Sequence, residues 1–436
     1  MGVGVQTYTE LSQRLHDGVL RAQIPVDVTL ELTRRCPLAC SHCYNNLPMA
    51  DRAARRQELS TDEYRRLLDQ LAEMGCLWLL LTGGEILARQ DFLEIYQEAK
   101  RRGFLITLFT NGTLITSRLA DALVEWRPFA IEITLYGRTR ETYERLTQIP
   151  GSYDRCLAGI RLLKERDLPL LVKTVAVRVN QHEIRDMKRF VEEELGLPFK
   201  FDAMMTPRID CSRSPLEMRL SPEEVVQLDL DDAGRLKEWN TFSAEFIRPQ
   251  QPAGREDELY HCGGAVNAFA VDPLGRMSLC ILSHRDTFDL RAGTVAEGWR
   301  FLTEKVRRRR ITRVTKCTAC QLKSVCGMCP ANGELEAGDP EKPVDFLCHV
   351  AHLRALVLGW PIPAHGSCEY CPGGARHEAL QVAAAALEKR PAGVPRALVP
   401  LPLAEPAAAH WGCPSGCSCG RVQWAGAGER HGKATI

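Results

Sequence analysis

The chain has 436 residues, 18 of them cysteine, and a formal net charge of +1. This length allows two or three domains, and the balanced charge gives no reason to expect binding to nucleic acid or to an anionic membrane. No secretory signal and no run approaching ~18 apolar residues is present, so the cysteines indicate metal clusters in a reducing compartment rather than disulfides. We expect a cytoplasmic protein.

Residues 1–25 form a short amphipathic lead-in, too short for a folded peptide-binding domain. From 26 to 203, six short apolar runs alternate with amphipathic segments, the pattern of strands buried on both faces of a parallel sheet. The predicted strands are Val26–Leu32, Cys76–Leu81, Leu105–Phe109, Ala130–Leu135, Leu170–Val177 and Phe199–Ala203. The predicted helices are Thr61–Met74, Asp91–Arg102, Ser117–Val124, Tyr153–Arg166 and Glu183–Leu195. Six such units predict an α/β fold, a partial (β/α)6 barrel with its chemistry at the C-terminal strand ends.

The first predicted strand leads into a loop with three thiols, Cys36, Cys40 and Cys43. Thiolates are soft ligands for iron–sulfur clusters or zinc, and a four-iron cluster held by three cysteines keeps one iron open for a substrate. A zinc loop and three unrelated buried cysteines are the alternatives. The Cys-x3-Cys-x2-Cys spacing after a first strand resembles that of the radical S-adenosylmethionine (SAM) superfamily. His42 stands where that family usually has another aromatic residue.

The resemblance implies that SAM chelates the open iron and is split into a 5′-deoxyadenosyl radical that abstracts hydrogen. It makes Cys36, Cys40 and Cys43 the catalytic cluster ligands. The SAM-binding residues that it implies are His42, Gly83, Gly84, Glu85, Asn111, Thr134 and Asn180. Glycines permit close backbone approach, and Glu85 can pair with the ammonium group of SAM. Ile86 replaces the proline that commonly follows.

Residues 204–260 are a connecting segment of mixed character, in which Cys211 belongs to no motif. Cys76 and Cys156 are expected in the core.

A second group of seven cysteines, over 261–350, consists of Cys262, Cys280, Cys317, Cys320, Cys326, Cys329 and Cys348. Paired Cys-x2-Cys also occurs in zinc ribbons, but seven thiols exceed one zinc site. The string resembles the SPASM domain of radical SAM enzymes, except that its last paired spacing is x2 rather than x3. The resemblance implies two auxiliary [4Fe–4S] clusters. The outer one takes Cys317, Cys320, Cys326 and Cys348, and the inner one Cys262, Cys280 and Cys329.

The inner cluster either keeps an open iron or takes a further ligand from Glu256, Glu258 or His261. Beyond it, a helical extension over 351–390 carries Cys368 and Cys371. A Pro/Ala-rich linker and tail over 391–436 carry Cys413, Cys417 and Cys419. These five thiols have three open explanations: adventitious or no metal, a third metal site shared by both groups, or a tethered substrate-like peptide.

The family resemblance implies a maturase that abstracts hydrogen from a ribosomally made precursor peptide, giving a thioether or carbon–carbon cross-link or another modification. Its implied partners are that peptide, a separate leader-recognition protein, and a one-electron reductant such as ferredoxin or flavodoxin. One alternative is a sulfatase-type formylglycine maturase, but Ile281 occupies the place of its usual Asp. The other is a non-catalytic electron carrier, which needs no Glu85 beside its cluster.

Overall fold

A nine-stranded sheet organises the computed structural model, which describes residues 18, 24–246 and 257–388. In chain order its strands are β1 (Asp27–Thr33), β4 (Trp78–Gly83), β5 (Leu105–Thr110), β6 (Ala130–Thr134), β7 (Leu170–Val175), β8 (Phe199–Asp202), β9 (Ala268–Val271), β10 (Arg276–Ser278) and β11 (Phe288–Asp289). Two short strands, β2 (Arg35–Cys36) and β3 (Leu47–Pro48), pair separately. The spatial order is β11-β10-β9-β1-β4-β5-β6-β7-β8.

The six strands from β1 to β8 pair in parallel, each with its successor in the sheet. Burial alternates most clearly along β5, where Ile106, Leu108 and Thr110 are buried, because successive side chains of a strand point to opposite faces. All six predicted strands are present, and the α/β fold class with a partial parallel sheet is confirmed. Their C-terminal ends meet at one edge, where the Cys36 loop begins.

Helices connect these strands. In the first part of the chain they are α1 (Arg52–Gln57), α2 (Thr61–Glu73), α3 (Phe92–Arg101), α4 (Ser117–Glu125), α5 (Arg140–Thr147), α6 (Ser152–Lys164) and α7 (Ile184–Arg189), which continues as a π-helical turn, Phe190–Glu194. The five predicted helices are confirmed to within a few residues. Helix α2 begins with the predicted capping box of Ser60 and Glu63. Helix α5 was not predicted, because only Tyr143 and Leu146 are its large apolar buried residues.

The sheet extends beyond the six parallel strands into the second cysteine region. Strand β9 pairs in parallel with β1, matching Asp27 with Ala268 and Leu30 with Val271, and β10 and β11 continue it in antiparallel order. The cysteine-rich region therefore shares a sheet with the strand that leads into the Cys36 loop. The boundaries at 203, 260 and 350 stay predictions.

The remaining helices are α8 (Pro222–Leu230), α9 (Ala233–Phe246), α10 (Val295–Phe301), α11 (Lys323–Cys326), α12 (Pro330–Ala337), α13 (Asp345–Val357) and α14 (His377–Glu388). Short 3-10 and π segments lie at Ile86–Ala88, Gln181–Glu183, Ser214–Met218 and Leu302–Val306. Among the described residues, none of the helices has the length and apolarity needed to cross a membrane. Almost all of the predicted lead-in, Glu256, and the tail with Cys413, Cys417 and Cys419 lie outside the described residues.

Candidate active site

Three thiols converge in the loop after β1. Cys36 and Cys40 are each 8% exposed and pack with Leu38, while Cys43 is half-buried beside them. Burial, together with the nearby charges of Glu85 and Cys43, raises the pKa of Cys36 to about 12. Burial also raises the pKa of Cys40 and of Cys43. Three neighbouring thiols of raised pKa become thiolates together only beside a compensating cation, so the loop fits a metal cluster.

Two N–H groups point at the sulfur of Cys36. The backbone nitrogen of Leu38 lies 3.4 Å from it, and Nδ2 of Asn111 lies 3.5 Å from it. Hydrogen bonds to ligand sulfurs stabilise the thiolate and tune the reduction potential of a cluster. Asn111 comes from the end of β5, so a second strand end contributes to the environment of the first thiol.

The glycine pair at the end of β4 is required by the chain itself. A Cβ on Gly83, whose φ is +131°, would lie 2.2 Å from the carbonyl oxygen of Thr33, and one on Gly84 would lie 2.5 Å from that of Arg34. The backbone nitrogen of Gly84 donates to the Thr33 carbonyl at 2.7 Å. These glycines therefore let β4 press against the start of the Cys36 loop.

Glu85 is fully buried and hydrogen-bonded at both oxygens. Oε1 accepts from the Thr110 hydroxyl at 2.8 Å and from the Leu87 backbone at 3.1 Å, and Oε2 accepts from the Asn111 backbone at 2.7 Å. Burial raises the pKa of this carboxyl, and the three donors partly offset that rise. Glu85 thus organises the strand ends, and its pairing with the SAM ammonium group stays a prediction.

Two further predicted residues are Thr134, at a strand end, and Asn180, in the loop after β7. Thr134 ends β6 and is half-buried. Asn180 is fully buried: its Oδ1 accepts from the Val177 backbone, and its Nδ2 donates to the Tyr136 and Val175 carbonyls, at 2.8, 3.0 and 3.0 Å. Asn180 therefore fixes the loop that holds Tyr136.

The ring of Tyr136 meets that of His42 edge-on, with centroids 4.9 Å apart. Burial lowers the pKa of His42 to about 4, so its imidazole is neutral near pH 7. The buried Nδ1 of His42 has no hydrogen-bond partner among the described residues. His42 thus supplies an aromatic contact at the place where the family has another aromatic residue.

Sequence reasoning assigned no role to two residues that hold the loop. Glu31, 1% exposed within β1, accepts from Tyr44 Oη at 2.9 Å and from Asn45 Nδ2 at 2.7 Å. The guanidinium of Arg208 donates to the Cys43 carbonyl at 3.1 Å and to the Asn46 carbonyl at 3.0 Å. A carboxylate inside a strand predicted to be buried on both faces was the available signal for Glu31.

The outer set of predicted ligands also converges. Cys317 and Cys326 lie within hydrogen-bonding reach of Cys348, whose pKa their thiols lower, and the charge of Cys348 also acts on Cys320. Helix α13 carries Cys348, and α11 carries Cys326. The four thiols fit a single cluster.

The three predicted inner ligands lie close enough to influence one another. Burial, together with the charges of Cys329 and Cys262, raises the pKa of Cys280 to about 11. Among the proposed fourth ligands, the carboxylate of Glu258 lies 3.5 Å from Arg310, and His261 is exposed. Cys76 and Cys156 are buried, as expected.

Comparisons with known proteins show which proteins the chain is similar to. The profile of the Radical SAM superfamily matches residues 30–191. A PqqA peptide cyclase of Bradyrhizobium diazoefficiens is 34% identical over 263 residues, covering 59% of this chain and 67% of the relative. An AdoMet-dependent heme synthase of Methanosarcina barkeri is 26% identical over 333 residues, covering 72% of this chain and 93% of the relative.

Among solved structures, Streptococcus suis SuiB bound to its precursor peptide SuiA is similar with a TM-score of 0.60 and 17% identity. The match covers 80% of this chain and 82% of that one. At this identity the likeness shows a shared fold.

Proposed function

The chain belongs to the radical SAM superfamily, and we propose that it is a SPASM-type maturase that modifies a ribosomally synthesised peptide. In this proposal Cys36, Cys40 and Cys43 hold a [4Fe–4S] cluster whose open iron binds SAM. When bound, the cluster and SAM supply a radical that abstracts hydrogen from a residue of the peptide. The product is a thioether or carbon–carbon cross-link or another modification.

The convergence of three thiols, two of them buried and one half-buried, at the C-terminal edge of a parallel sheet carries this proposal. The chain's own residues protect and orient that site. Burial of Cys36 and Cys40 excludes water from the sulfurs, and the N–H groups of Leu38 and Asn111 stabilise the Cys36 thiolate. Glu85 holds the end of β5 against the end of β4, which keeps Asn111 in place.

The substrate class rests on the relatives. The name of the Bradyrhizobium relative gives it a peptide substrate, PqqA, and the SuiB structure holds a precursor peptide. We propose a precursor peptide for this chain as well, together with a separate leader-recognition protein. The reaction would run in the cytoplasm, with ferredoxin or flavodoxin as the one-electron reductant.

The two further sets of cysteines support the proposal of two auxiliary clusters. In the proposal Cys317, Cys320, Cys326 and Cys348 bind the outer cluster, and Cys262, Cys280 and Cys329 bind the inner one. A cross-link made through a carbon radical leaves one electron to be removed, and clusters within the fold provide an acceptor. An electron carrier without SAM chemistry would not need the open iron.

The test is anaerobic reconstitution followed by incubation with SAM, dithionite and the small precursor peptide encoded nearby. We expect about twelve irons per chain, release of 5′-deoxyadenosine, and a peptide that has lost the mass of two hydrogens. The Cys36→Ala/Cys40→Ala/Cys43→Ala variant should hold about eight irons and release no deoxyadenosine. Wild-type protein that carries clusters yet never cleaves SAM would overturn the proposal in favour of the carrier.

The heme synthase relative raises a second candidate, a tetrapyrrole substrate, because the alignment covers 93% of that enzyme. The same reconstituted enzyme is incubated with a tetrapyrrole precursor in place of the peptide. Tetrapyrrole turnover with an unmodified peptide would favour this candidate. The formylglycine alternative lacks its usual Asp, because half-buried Ile281 occupies that position.

A further inference from the structure

Four metal-binding side chains meet beyond the second cysteine region. His352 lies on α13, and His365, Cys368 and Cys371 lie in the loop between α13 and α14. One ligand atom of each residue lies within 4.8 Å of the ligand atoms of the other three. His352 and both cysteines are buried, and His365 is half-buried. None of the four belongs to the three clusters proposed above.

The distances between these atoms are those of a single tetrahedral ion. Nε2 of His352 lies 3.5 Å from the sulfur of Cys368 and 3.5 Å from that of Cys371. The sulfur of Cys371 lies 3.2 Å from Nδ1 of His365. A zinc ion with Zn–S of about 2.3 Å and Zn–N of about 2.0 Å would separate sulfur and nitrogen by roughly 3.5 Å. A cluster instead spreads its ligand atoms over several irons.

A backbone contact orients the first imidazole. Nδ1 of His352 lies 2.7 Å from the carbonyl oxygen of Cys348, one helical turn earlier. Donation of the Nδ1 proton to that carbonyl leaves the lone pair of Nε2 facing the two sulfurs. Ligating histidines typically use their other ring nitrogen in this way, which fixes both the tautomer and the ring orientation.

The loop is built to turn both cysteines inward. A Cβ on Gly374 would lie 2.5 Å from the carbonyl oxygens of both Cys368 and Glu369, so only glycine fits over that turn. The backbone nitrogen of Gly374 donates to the Cys371 carbonyl at 2.8 Å, and Nδ1 of His377 lies 2.9 Å from the Tyr370 carbonyl. The Cys-x2-Cys turn is thus fixed by contacts that do not use the thiols.

We propose that His352, His365, Cys368 and Cys371 bind one structural zinc ion. Two thiolates and two imidazoles complete the tetrahedral coordination preferred by Zn²⁺, and no position is left open for a substrate. The sequence left open a metal site shared between this loop and the tail. The zinc site needs no ligand from the tail, because all four ligands come from residues 352–371. Cys413, Cys417 and Cys419 are then not required for it.

The zinc ion supports the outer cluster site and takes no part in the chemistry. It fastens the loop after α13 back onto that helix, one turn from Cys348. A second contact holds the same loop, since Lys316, next to Cys317, donates to Glu369 at 2.8 Å. Loss of zinc therefore loosens the loop that Lys316 and α13 connect to the outer cluster site.

The first experiment measures zinc in untagged wild-type protein purified anaerobically, by elemental analysis and zinc-edge X-ray absorption. We expect about one zinc per chain, with two sulfurs at about 2.3 Å and two nitrogens at about 2.0 Å. Protein that contains no zinc after growth in zinc-supplemented medium overturns the proposal. So does a shell of four sulfurs, which would put the zinc in a cysteine-only site.

The second experiment uses variants of the full chain. Cys368→Ser/Cys371→Ser should lose at least nine-tenths of the zinc, whereas the control Cys211→Ser and the tail variant Cys413→Ser/Cys417→Ser/Cys419→Ser should keep it. Zinc retained in the first variant, or lost in the tail variant, overturns the assignment. If the double variant does not fold, the wild-type absorption spectrum decides the question, because it needs no substitution.

Discussion

The backbone nitrogen of Asn111 donates to the carboxylate of Glu85 at 2.7 Å, which joins the ends of two neighbouring strands through one buried group. Asn111 in turn points its side-chain nitrogen at the sulfur of Cys36. The position of the first cluster thiol is therefore linked to a carboxylate that does not touch it. This relationship predicts that Glu85 affects the stability of the sheet edge as well as the reaction.

Replacing Glu85 by Gln should lower the free energy of unfolding by about 1–3 kcal/mol. The amide places its own N–H donors against the donors of Asn111, Leu87 or Thr110, and at least one of those groups loses its acceptor. Urea unfolding under anaerobic conditions measures the change. The control is Glu141→Gln, since Glu141 is exposed on α5; equal losses in both variants would contradict the prediction.

The same variant tests the raised pKa of Glu85. A carboxyl whose folded-state pKa lies above its ordinary value of 4.5 contributes its full stability below pH 4.5 and loses it as the pH rises through the folded-state pKa. The difference in unfolding free energy between wild type and Glu85→Gln should therefore shrink as the pH is raised above 4.5. A difference that grows with pH would mean that burial does not control this group.

Gly83→Ala should lower the free energy of unfolding by about 2 kcal/mol more than Gly103→Ala does. Both glycines have positive φ, +131° and +86°, so both substitutions incur the left-handed penalty. A Cβ at Gly83 also meets the Thr33 carbonyl at 2.2 Å, whereas one at Gly103 meets no atom of the described residues within 4 Å. Thermal melting and the iron content of reconstituted protein measure the two effects. Similar melting temperatures for both variants would show that the strand ends move apart without cost.

Arg208→Lys should make the first cluster easier to remove. The guanidinium holds the Cys43 and Asn46 carbonyls together, and an ammonium group cannot reproduce that fork. Loss of about one such hydrogen bond, ~1.4 kcal/mol, predicts roughly tenfold faster loss of SAM cleavage in an iron chelator. Arg213→Lys, at an exposed neighbouring position, should behave as wild type. If the Arg208 variant loses SAM cleavage at the wild-type rate, Arg208 does not hold the loop.

His42→Phe should weaken the dependence of stability on pH. Burial holds the pKa of His42 at about 4, below its ordinary 6.5, so its contribution is full above pH 6.5 and is lost as the pH falls toward 4. Between pH 7.5 and 5.5 the wild type should lose about 1 kcal/mol more than the variant. Phenylalanine keeps the edge contact with Tyr136 and removes a buried nitrogen that has no hydrogen-bond partner in the described part of the chain. An equal loss of unfolding free energy in wild type and variant between these two pH values would contradict the prediction.

Local sequence patterns predicted the positions of the strands and helices better than they predicted which strands pair. The six parallel strands are short apolar runs, and each carries its own signal of burial. The pairing of β9 with β1 has no such signal, because Ala268–Val271 is an apolar run that any sheet edge would accept. Helix α5 was not predicted because most of its residues are polar, and only Tyr143 and Leu146 indicate a buried face.

The candidate sites divide in the same way. Spacing within one loop revealed Cys36, Cys40 and Cys43 as a group, because their proximity along the chain becomes proximity in space. Arg208 contacts residues that lie far from it along the chain, and His352 lies on a different element from the two cysteines beside it. Spacing within one segment of the sequence therefore reveals neither residue. His352 also lies in a helix whose apolar residues predicted burial alone. Sequence reasoning therefore found Cys368 and Cys371 but not the imidazoles beside them.

The parallel pairing of β9 with β1 has a consequence for how the protein is made. β1 is synthesised early, yet its partner follows about 240 residues later, which at ribosomal speed is on the order of tens of seconds. During that interval the edge of β1 offers unpaired backbone groups beside apolar side chains, a template for aggregation. Cells that overproduce the chain should therefore benefit from a chaperone that covers this edge until β9 arrives.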